Sequence, residues 1–78
     1  MSNLEQIVEV IETYRADIDA LIENESEEMC ISILQTMTDA YENDISTSEQ
    51  YDWSDALFDS LHKLIKDNYP ENPFFVTV

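Results

Sequence analysis

Apolar residues recur at spacings of three and four through most of this chain, the period of a helix with one buried face. Leu4, Ile7, Val8, Ile11, Tyr14, Ile18, Leu21 and Ile22 form the first stripe. Ser2 with Glu5 three residues on has the form of a capping box, and the stripe predicts one helix over 3–23. Glu23-Asn24-Glu25 ends it, because glutamates near a helix C-terminus oppose the dipole. Ser26 then reads as an N-cap, with Glu27 and Glu28 in the first turn. Cys30, Ile33, Leu34, Met37, Ala40 and Tyr41 carry a second helix over 27–42. Met29 and Ile31 fall off that stripe and are expected as an exposed apolar spot or as a contact for C-terminal residues.

The polar residues 43–50 read as a connector. Ser48 or Ser54 is placed to cap a third helix over 54–68, with Trp53, Leu57, Phe58, Leu61, Leu64 and Ile65 on its core face. Asp52, Asp55 and Asp59 near its start, and Lys63 and Lys66 near its end, complement the macrodipole. Pro70 stops the helix. Pro73 and the β-prone run Phe74-Phe75-Val76-Thr77-Val78 predict an extended tail over 70–78. The chain has no glycine, so hairpin turns lack their usual residue. The expected fold class is all-α: one domain, a three-helix bundle with an extended C-terminal tail.

Charge changes the picture. Eighteen Asp and Glu face three Lys and Arg, a formal net charge of −15. Acidic chains poor in apolar residues stay disordered; here 44% of residues are hydrophobic, enough to form a core. Self-repulsion of this size opposes compaction, which suggests that the charge has a use, such as meeting a basic surface that otherwise holds nucleic acid. Duplex DNA carries one charge per ~1.7 Å, so a ~30 Å length holds about 18 phosphates, as many as this chain has carboxylates. The plainer reading is a solvated surface that keeps a small protein soluble.

The same charge argues against direct nucleic-acid binding and against anionic membranes. No apolar run reaches the length of a membrane span, and the N-terminus lacks a basic-then-apolar leader. Cys30 stands alone, so no intrachain disulfide forms; it reads as a small core residue in a reducing, cytoplasmic setting. A homodimer would enlarge a marginal core, against the repulsion. His62, the one histidine, reads as a boundary residue. Carboxylate pairs arise here from composition alone, so no enzyme activity is expected. No segment fits the calcium loop, whose sixth position needs glycine, and no cofactor or metal is expected.

Four acidic groups are candidate partner-binding sites. Glu5, Glu9, Glu12, Asp19 and Glu23 form one row along the first predicted helix, interrupted only by Arg15 as a cation. Glu25, Glu27 and Glu28 join Glu23 at the next turn. Asp39, Glu42 and Asp44 form a third group. Glu49, Asp52, Asp55 and Asp59 form a fourth, with Tyr51 and Trp53 interleaved. Trp53 is the leading interface anchor, since an aromatic among acids can stack on a partner's arginine; a core position is the competing reading.

Asp59-Ser60-Leu61 resembles the phosphopantetheine-bearing motif of acyl carrier proteins. There the motif lies near mid-chain after a glycine-containing loop; here it is late, without the glycine, and followed by two prolines, so that function is not expected. By composition and size the chain is similar to small acidic inhibitors of phages and mobile elements, of the DNA-mimic, anti-restriction or anti-CRISPR type. That resemblance implies an inhibitor whose carboxylates replace phosphates on a basic nucleic-acid-binding protein. The alternative is an antitoxin, immunity or adaptor-type module whose acidity serves solubility and encounter.

Overall fold

The computed structural model describes residues 3–43 and 45–76, the side chains of Asn3, Ile45 and Ser48 excepted. Ser2 of the capping box, Asp44, the Ser48 hydroxyl and the last two tail residues lie outside the described residues. Every regular element among the described residues is a helix: α1 (Asn3–Tyr14), α2 (Asp19–Asn24), α3 (Glu27–Asn43), α4 (Ile45–Gln50) and α5 (Asp55–Asn68).

α3 is the central element, and each of the other four packs against it. It buries Cys30, Ile31, Ile33, Leu34, Met37 and Ala40. These meet Ile7 and Ile11 of α1, Leu21 of α2, and Leu61 and Ile65 of α5. Leu34 is wholly enclosed; truncating such a leucine to alanine costs about 2–5 kcal/mol, because the lost contacts leave a cavity. Ile31 is also in this core, which rules out the exposed spot, one of its two expected roles, and Met29 is half-buried. Ser26 caps α3 as expected, its Oγ accepting from the Met29 N–H at 3.1 Å.

The first predicted helix is broken. α1 ends at Tyr14, and the chain turns through 15–18 before α2 starts. Tight bonds hold the turn: Asp17 N–H to the Tyr14 carbonyl at 3.1 Å and Leu21 N–H to that of Ile18 at 3.1 Å. Arg15, at the break, reaches to the α4–α5 corner and donates to the Tyr51 carbonyl at 3.1 Å. Such a tertiary bond is invisible to local periodicity.

Two further expectations change. The polar connector holds α4, which packs on α3. Residues 69–76 are coiled into turns rather than extended. Asn72 N–H bonds the Tyr69 carbonyl at 3.1 Å and Phe75 N–H bonds that of Asn72 at 2.9 Å. Pro70 and Pro73 each therefore occupy the second position of a turn, where their fixed φ is favoured. The third helix is as expected: Ser54 caps α5, its side chain accepting from Leu57 N–H.

Candidate functional site

The acidic surface is built from every helix. Of the seventeen described Asp and Glu, sixteen are exposed and Glu25 is half-buried. Glu5, Glu9 and Glu12 share the outer face of α1 at spacings of four and three. Asp19 and Glu23 belong to α2, beyond the break, so the expected five-member row is two shorter groups. Glu28 is exposed at the start of α3, Glu49 on α4, and Asp55 and Asp59 on α5.

Several of these carboxylates also work within the fold. Glu12 accepts from Arg15 at 3.1 Å. Glu25 accepts from the Tyr14 hydroxyl at 3.1 Å, tying the end of α1 to the end of α2. Partial burial, this bond and the Glu25 charge all push the Tyr14 phenol pKa up. Glu27 accepts from the Asn72 side chain at 3.2 Å, pinning the C-terminal turns to the start of α3.

Arg15 organises the α4–α5 corner. It donates to the carbonyls of Tyr51 and Asp52, and its ion pair with the Asp52 carboxylate is longer, at 3.7 Å. Asp52 sits at φ 55, a left-handed conformation that aspartate tolerates better than most residues. This turn directs Trp53 inward. Trp53 is 3% exposed, packs beside Tyr51 at 5.4 Å between ring centres, and its carbonyl accepts from the Tyr41 hydroxyl at 2.7 Å. The expected interface anchor is thus a core residue and offers no surface to a partner. Its Nε1 has no hydrogen-bond partner among the described residues. Cys30 is likewise fully enclosed, and burial pushes its thiol pKa up, away from the reactive thiolate.

A second surface feature lies along the α3–α5 seam. The rings of Tyr41 and Phe58 meet edge-on at 5.5 Å, Phe58 and His62 lie at 5.9 Å, and His62 meets Phe75 edge-on at 5.1 Å. Phe74 adjoins Phe75 at 5.1 Å. All five are half-buried. Sequence reasoning placed Phe58 in the core and the two terminal phenylalanines in an extended tail. The available signal was the i,i+4 spacing of Phe58 and His62, together with a proline immediately before the Phe pair.

Among the described residues, no three His, Cys, Asp or Glu side chains come together to hold a metal ion, and no helix is long and apolar enough to cross a membrane. No protein-family model, curated protein or solved structure matches this chain.

Proposed function

We propose that this chain is an acidic protein inhibitor that occupies the nucleic-acid-binding surface of a basic protein, presenting carboxylates where phosphates would lie. The observation that supports it is the outward placement of the acids: sixteen of seventeen described carboxylates are exposed on a body measuring 31 × 30 × 26 Å. Duplex DNA of that length carries about 18 phosphates, and the chain has eighteen Asp and Glu. The target class is a host defence or DNA-processing protein, such as a restriction or CRISPR effector, whose Lys and Arg bind the inhibitor in place of its substrate.

A second reading, an antitoxin, immunity or adaptor-type module, draws on the half-exposed rings of the α3–α5 seam. The two readings differ in what the partner can still do. Affinity capture with mass spectrometry identifies the partner, and competition with that partner's nucleic acid then decides. Mimicry requires mutually exclusive binding that weakens with salt. Replacing Glu5, Glu9 and Glu12 together by Gln removes an ordered row and should weaken inhibition by about tenfold, since exposed pairs are each worth about 0.2–1 kcal/mol. Glu71→Gln, in the C-terminal turns, should matter less. A ternary complex of inhibitor, partner and nucleic acid would reject mimicry in favour of the module.

A further inference from the structure

The seam of Tyr41, Phe58, His62, Phe75 and Phe74 joins two features on one surface. Each of its five residues is only half-buried, and Val76, next in sequence to Phe75, is 55% exposed. Carboxylates stand at both ends. Asp55 follows Ser54, whose carbonyl accepts from the Tyr41 hydroxyl at 3.1 Å. Asp59 follows Phe58, whose ring meets Tyr41 edge-on. After burial, both charges help raise the Tyr41 phenol pKa. At the other end Glu27 is held by Asn72, whose own Oδ1 accepts from the Phe74 N–H at 2.9 Å. Lys63 and Lys66 are the cations on α5, in a chain whose net charge is −15.

Ring faces bordered by carboxylates suit a guanidinium, which stacks flat on an aromatic and pairs in a fork with a carboxylate. An ammonium does the second less well and cannot stack in the same way. A second copy of the chain would bring another −15 to the same place, and an anionic lipid surface would be repelled in the same way. We propose that the α3–α5 seam docks an arginine-bearing segment of a basic partner protein. This shares the basic partner of the function proposed above and places its arginines, but it does not require that partner to bind nucleic acid.

The test is an NMR titration of the full chain with a short alternating Arg-Ser peptide, its Lys-Ser twin and an uncharged Leu-Ser twin. Signals of Phe58, His62 and Phe75 should move first, and the Arg-Ser peptide should bind about three- to tenfold more tightly than Lys-Ser. Phe75→Leu keeps apolar bulk but loses the ring face, so it should bring the two affinities together. Should that variant melt early, His62→Gln makes the same removal on α5. The triple Gln variant of Glu5, Glu9 and Glu12 should leave the Arg-to-Lys ratio unchanged. Equal affinities with shifts scattered over the acidic surface would overturn the proposal, as would equal binding of the Leu-Ser peptide at the seam. Failure of competition with nucleic acid would sink mimicry alone and leave this ratio intact.

Discussion

Arg15 Nη1 donates to the carbonyl oxygen of Tyr51 at 3.1 Å, across 36 positions of sequence. With the second donation to the Asp52 carbonyl, it joins the α1–α2 break to the α4–α5 corner. The Asp52 carboxylate is 94% exposed and 3.7 Å away, so solvent screens its share. Backbone carbonyls are the anchor. Arg15→Ala should therefore cost about 1.5–3 kcal/mol, the range for hydrogen bonds to charged groups. Asp52→Gly keeps both carbonyls and relieves the left-handed φ, while loosening the unfolded chain by a similar amount. Its net effect should stay within about 0.5 kcal/mol. Urea denaturation of the two variants decides; a larger loss for Asp52→Gly would make the carboxylate the anchor.

Alkaline pH should unfold the protein earlier than its overall charge alone would. The phenols of Tyr14 and Tyr41 both have pKa values raised in the fold above the ordinary 10.0. A phenol with a raised folded pKa holds its proton more tightly folded than unfolded. Its contribution is therefore complete below pH 10 and is lost as pH climbs through the folded pKa. Melting temperature should fall as pH rises above 10, and a Tyr14→Phe/Tyr41→Phe double variant should show a shallower fall. Equal slopes would remove the two phenols from the cause.

Salt should stabilise the fold. At about 0.01 M the screening length is ~30 Å, close to the 31 Å long axis, so carboxylates on opposite sides repel one another. At about 0.15 M it shrinks to ~8 Å. Relief of about 1 kcal/mol would raise the melting temperature by roughly 4–8 °C for a domain of this size. A flat profile from low to physiological sodium chloride would show that repulsion is already neutralised.

Ser54 joins the capping of α5 to the packing of α3. Its Oγ accepts from Leu57 N–H at 3.2 Å, and its carbonyl accepts from the Tyr41 hydroxyl at 3.1 Å. Ser54→Ala removes only the side-chain cap and should cost about 1 kcal/mol, whereas Ser54→Asp should retain most stability. Calorimetry on the pair measures this; equal losses would mean that the cap is not what the serine supplies.

Local signals explain where α3 begins and where α5 begins and ends, but they miss α4. Ser26 and Ser54 cap where their spacing to the following apolar stripe requires, and Pro70 follows the end of α5. What local signals omit is contact between distant segments. The stripe from Leu4 to Ile22 is continuous in period, yet Arg15 binds carbonyls near residue 52, and the helix stops before it. Trp53 lies both on the apolar face of the third predicted helix and among acids, and its burial decides for the core reading over the interface anchor. The C-terminal run has β-prone composition, but two prolines set its turns. Outward placement of the carboxylates was readable from composition, because a charge so exposed costs little to solvate. The aromatic seam was not, because its rings come from α3, α5 and the terminal turns.

The three axes of the body, 31, 30 and 26 Å, are nearly equal, and acids occur on all five helices or beside them. A basic partner of the kind proposed would therefore feel attraction on every side of the body. Long-range attraction brings the two surfaces together without choosing which face touches first. After first contact the pair must find its register by rotational diffusion, rolling over one another while held loosely. A sphere charged all round makes that search tolerant, because a wrong facing is still a bound one. If the proposed complex forms, short-range shape and ring contacts would select its final pose, so variants of equal charge but altered contour should differ in how long the complex lasts rather than in how often it forms.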